Sequence, residues 1–126
     1  MSSSRWNHLH ALAQAEINAT LAALPKPLRA QARQLPVTCE LRPNAALLAD
    51  GVEADTLGLF VGEAFPDSES GALQLPAQII LFLENIWELA EEDEAIYREE
   101  IRTTLLHELG HYLGLDEIDL EERGLD

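Results

Sequence analysis

The most constraining feature of this sequence is a long run of helical periodicity near its C-terminal end that carries two histidines four residues apart. From Asp93 or Glu94 to Leu113, the apolar positions Ile101, Leu105, Leu109 and Tyr112 recur at spacings of three and four. That pattern predicts an amphipathic helix with one buried stripe. Asp93 is placed to cap it, and the acids of the first turn suit the positive end of the helix dipole. Gly114 follows the last periodic residue, where a left-handed C′ position would stop the helix sharply. Such a helix is about 30 Å long, so the rest of a 126-residue chain has to be built around it.

The remaining segments predict what packs on that helix. Trp6, Leu9, Ala13, Ile17, Leu21 and Leu24 form a second helical stripe, stopped by Leu24-Pro25-Lys26-Pro27. Three short strand-like runs follow, at 37–42, 57–62 and 78–83, the last of which (QIILFL) reads as buried on both faces. Residues 44–50 read as a helical turn ended by Gly51, residues 63–76 as a loop rich in Pro, Ser and Gly, and residues 84–90 as a short helix. Hydrophobic residues make up 47% of the chain, enough to bury a core without staples. Cys39 is the only cysteine, which excludes an internal disulfide and fits a reducing compartment. Length predicts one domain over residues 1–126.

The chemistry lies in His107-Glu108-Leu109-Gly110-His111, an HExxH motif. Residues four apart share a helix face about one turn apart. Two imidazoles so placed can direct nitrogens at one ion at roughly 2.0–2.1 Å. Glu108, one residue round the helix, falls beside such an ion and is the candidate general base for proton transfer from an attacking water. A catalytic site of this kind takes a third protein ligand and leaves one position open. Gly114 allows the chain to reverse, so Glu117 is the favoured third ligand, with Asp116 and Asp119 as alternatives. Shuffled copies of the chain would contain HExxH in roughly 1–2% of cases, and the motif with its trailing glycine and acid in roughly one or two per ten thousand. The pattern is therefore specific. Zn²⁺, one per chain, is the expected ion for two imidazoles and a carboxylate, although Fe, Mn or Co suit the same ligands.

Charge narrows the partners. The net charge is −15, and residues 84–126 hold fifteen acidic side chains against three arginines. So acidic a surface repels phosphate backbones, which argues against nucleic acid. No apolar run approaches the about 18 residues that span a bilayer, and the N-terminal segment is too polar for a signal-peptide core. A soluble, cytoplasmic protein is the expectation. His8 and His10 are two apart and so diverge on a helix, which makes them surface residues rather than ligands.

Several blocks of the chain resemble the small bacterial zincin-like metallopeptidases. They are LGLFVGE (57–63), QIILF (78–82), REEIRTTLLHELGHYLGLDEIDLEERG (98–124) and the first helix ending at Leu24-Pro25. The resemblance implies a minimal zincin-like α+β fold, with a small twisted mixed sheet packed on an N-terminal helix and a C-terminal metal-binding helix. It implies an intracellular peptidase, and metal binding by His107, His111 and the acid at Glu117, where members usually carry Asp. Met1 is the only methionine, so a downstream Met-turn is absent and the chain stands apart from metzincins.

The expected reaction is hydrolysis of a peptide or protein substrate, with room for an unidentified protein partner. Two alternatives stand beside it: a non-catalytic binding module clipped by its metal, and a metal-dependent hydrolase of a non-peptide substrate such as RNA.

Overall fold

The structure, a computed structural model, describes residues 3–62 and 77–113. Among these residues there are five helices and three strands: α1 (Ser3–Ala23), α2 (Lys26–Ala32), β1 (Val37–Glu40), α3 (Ala45–Ala49), β2 (Gly58–Val61), β3 (Gln78–Phe82), α4 (Leu83–Leu89) and α5 (Glu94–Leu113). The strands form one mixed sheet in the order β1-β3-β2, with β1 parallel and β2 antiparallel to β3. The α+β class and the mixed sheet agree with expectation. The loop expected over 63–76 and the turn at Gly114 lie outside the described residues.

α2 departs from the sequence expectation. Pro25-Lys26-Pro27 reads as a stop, and α1 does end at Ala23, but the same residues start the next helix. The Pro25 carbonyl accepts the Arg29 N–H at 2.9 Å. Pro27 sits in the first turn, where the missing N–H is no loss and its fixed φ suits a helix.

β3 corrects a second expectation. Ile79 and Leu81 are fully buried, yet Ile80 between them is only half-buried. On the face of Ile80, Phe82 is fully buried, so that face is covered at its C-terminal end and opens only at Ile80. Residues opposite Ile79 and Leu81 on β2 are Phe60 and Gly58, and they share the face of Ile79 and Leu81. The strand also ends a residue early, because Leu83 already begins α4.

Three polar devices hold the helices in place. Asp93 caps α5 as expected, accepting the Ile96 N–H at 3.0 Å. The Tyr97 hydroxyl donates to the Leu9 carbonyl of α1 at 2.9 Å, and its ring meets Trp87 of α4 edge-on at 5.3 Å. Burial pushes that phenol above its ordinary range, so it remains a donor. Arg42 donates to Glu84 at 2.6 Å, to Asn85 at 2.9 Å and to Glu88 at 2.5 Å. Asn85 in turn donates to the Ala54 and Thr56 carbonyls at 2.8 and 2.9 Å, which fixes the approach to β2.

The turn from α4 to α5 is a Schellman motif. The Glu92 N–H bonds the Trp87 carbonyl and the Glu91 N–H bonds the Glu88 carbonyl. Both glutamates adopt positive φ, 56° and 61°, with no glycine to relieve the strain.

α5 packs against α1, β2 and β3. Tyr97, Ile101, Leu105 and Leu109 are buried to 2% exposure or less. A fully buried side chain of this kind contributes roughly 1.5–3 kcal/mol. The stripe expected from the periodicity is therefore the one that anchors the helix, and it leaves the 104–107–108–111 side facing β2 and solvent.

Candidate metal centre

His107, Glu108 and His111 lie on the last two turns of α5. Their positions follow from the anchoring stripe. With Leu105 and Leu109 in the core, His107 and His111 are turned outward and both are exposed. Glu108 is turned toward β2 and is only 7% exposed. The two imidazole centroids are 4.7 Å apart, with ring planes at 63°. His111 Nδ1 lies 3.4 Å from Glu108 Oε1. Each of the three residues offers a ligand atom, and these atoms all lie within 4.8 Å of one another.

That spacing fits a divalent ion. Donors about 2.1 Å from a tetrahedral ion stand about 3.4 Å apart, a separation that small rotations of two exposed rings can reach. The donor chemistry, imidazole and carboxylate, suits zinc and its first-row neighbours. Glu117, Asp116 and Asp119, the candidates for a further ligand, lie outside the described residues.

Other candidate residues fall where their sequence context places them. His8 Nε2 pairs with Glu94 Oε2 at 2.9 Å, both exposed, and the His10 ring stacks on Trp6 at 5.2 Å. Neither joins the motif. Tyr112 packs its ring 5.9 Å from Phe60. Burial, with a smaller contribution from Glu40, pushes the Cys39 thiol up to about 11. It is protonated at neutral pH and is no nucleophile.

Two neighbours of the motif carry no sequence signal strong enough to single them out. Gly58 brings the β2 backbone against α5 where the site lies. A Cβ there would stand 2.6 Å from Thr104 Cγ2 and 3.4 Å from Glu108 Cγ. A glycine inside a strand does hint at close backbone approach, but only the strand order reveals what approaches it. The second neighbour is a cavity of about 310 Å³ that reaches from the motif along α5.

On a long helix laid against a small mixed sheet, two outward imidazoles and an inward carboxylate form a group able to hold a metal ion. The family profile of zincin-like metallopeptidases matches residues 32–125, three quarters of the chain. The chain belongs to the zincin-like metallopeptidase family. Membership implies a divalent ion, typically zinc, and peptide-bond hydrolysis as the family chemistry. No curated protein matches the chain. Among the described residues, no helix is long and apolar enough to cross a membrane.

Proposed function

We propose that this chain hydrolyses peptide bonds with one divalent ion, Zn²⁺ by preference, held by His107, His111 and Glu117, and with Glu108 as general base. The observation that carries the proposal is the division of labour on one helical turn: two exposed imidazoles beside a buried carboxylate. When bound, the ion supplies Lewis acidity toward the scissile carbonyl and a lowered pKa for the attacking water.

Glu108 moves the protons. Its carboxylate sits between α5 and β2 and is only 10% exposed as a side chain. Packing there holds its oxygens in one place, as a general base requires. A carboxylate oxygen takes the proton of the attacking water and later delivers it to the leaving amine nitrogen. That sequence leaves the enzyme unchanged and the peptide cleaved into acid and amine.

The exposure of His107 and the cavity beside it also favour catalysis over a structural clip. Structural sites are closed by four protein ligands, whereas catalytic ones keep an open position.

The test is hydrolysis of a mixed peptide pool, followed by mass spectrometry. Cleavage by the metal-loaded chain should vanish on chelation and return with stoichiometric Zn²⁺. Cleavage that continues at the parent rate after complete metal removal would overturn the proposal.

A further inference from the structure

The cavity beside the motif has a polarity that bears on which substrates enter it. At one end are His107 and Glu108; its walls are Leu57, Gly58 and the threonines 103 and 104, and Glu100 also lines it. Glu100 lies seven residues before His107. Two helical turns therefore separate them on the same face, about 10.5 Å along the axis at 1.5 Å per residue. Glu99 and Arg98 are exposed, whereas Glu100 beside them is half-buried. Arg98 pairs with Glu94 instead, at 3.9 Å. Among the described residues, Glu100 has no hydrogen bond or ion pair. Its carboxylate is therefore open to a charge-assisted hydrogen bond from a cation entering the cavity.

We propose that this cavity receives a lysine or arginine side chain of the substrate, with Glu100 as the residue that selects it. The proposal rests on the peptidase reading of His107 and Glu108, which sets the reacting end of the cavity. Long basic side chains lay their methylene stems on apolar surface and keep the charged head polar. Leu57 and the threonine methyls would line such a stem, and Glu100 would meet its head. An acidic substrate side chain would be repelled at the same point. The net charge of −15 adds attraction for basic segments at a distance.

Binding tests this apart from catalysis. The probes are a blocked alanine pentapeptide with a central lysine and the same peptide with norleucine, titrated by NMR into Zn²⁺-loaded Glu108→Gln protein. The lysine peptide should bind about fivefold more tightly at low salt, an advantage that shrinks as salt rises. Adding Glu100→Gln should erase the difference, whereas adding Glu99→Gln, an equal charge change on an exposed neighbour, should preserve it. Equal binding of the two peptides, or a lysine preference that survives Glu100→Gln, would overturn the proposal. A preference that depends on Glu100 in a chain whose parent form cleaves no peptide would remove the peptidase reading and keep the cavity as a site for basic side chains.

Discussion

Glu108→Gln is expected to lower the rate of peptide hydrolysis by about 10²–10⁴-fold while the protein keeps its metal. The substitution is nearly isosteric, so the packing against Gly58 and Thr104 survives. What disappears is the ability of a side-chain oxygen to take up a proton. The carboxylate is buried and the imidazoles are exposed, so the two proposed roles are separated in space and separable by mutation. Steady-state rates on a verified peptide, with metal content measured on the same sample, check the prediction. A Glu108→Gln variant as active as its parent would remove Glu108 from the mechanism.

The largest effect on stability is expected at Gly58. A Cβ at this position would stand 2.6 Å from Thr104 Cγ2, well inside the 3.5–4.0 Å optimum for carbon pairs. Thr104 has little room to yield, being only 8% exposed. Either β2 lifts from α5 or the helix shifts, and Glu108 moves with it. Gly58→Ala should cost about 1–3 kcal/mol, measured by denaturant unfolding. The remedy is equally specific. Thr104→Ser removes the offending methyl, so the double variant should recover most of the loss, with a coupling of about 1–2 kcal/mol. Gly58→Ala at full stability, or a double variant no better than the sum of its parts, would show that the close approach is not what requires glycine.

These two predictions differ in how much of their basis can be read from sequence. The motif can be read almost entirely, because a helix converts a spacing of four into a shared face without help from the rest of the fold. The α5 stripe, its Asp93 cap and the three strands depend on similarly local rules, and they appear where the periodicity places them. Gly58 and Glu100 depend instead on strand order. Gly58 matters because β2 is the antiparallel neighbour of β3 and lies along α5, and nothing local encodes that pairing. Glu100 looks like one acid among many until the cavity distinguishes it from Glu99.

The two local errors have local causes as well. Proline has opposite meanings inside a helix and in its first turn, which is how α2 escapes a pattern that ends α1 correctly. Ile80 belongs to a run of five apolar residues of which it alone is less than fully buried. That run reads as a strand covered on both sides, and only the packing in three dimensions shows that the cover fails at Ile80.

The most direct measurement of the central claim is the metal content of the purified chain, by elemental analysis before and after chelation and reloading. One equivalent of a divalent transition metal per chain is expected. It should be lost in His107→Ala and in His111→Ala while circular dichroism shows both variants still helical. A chain that takes up no such metal even from excess, or binds it undiminished after both histidines are replaced, would contradict the claim that one turn of α5 holds the ion.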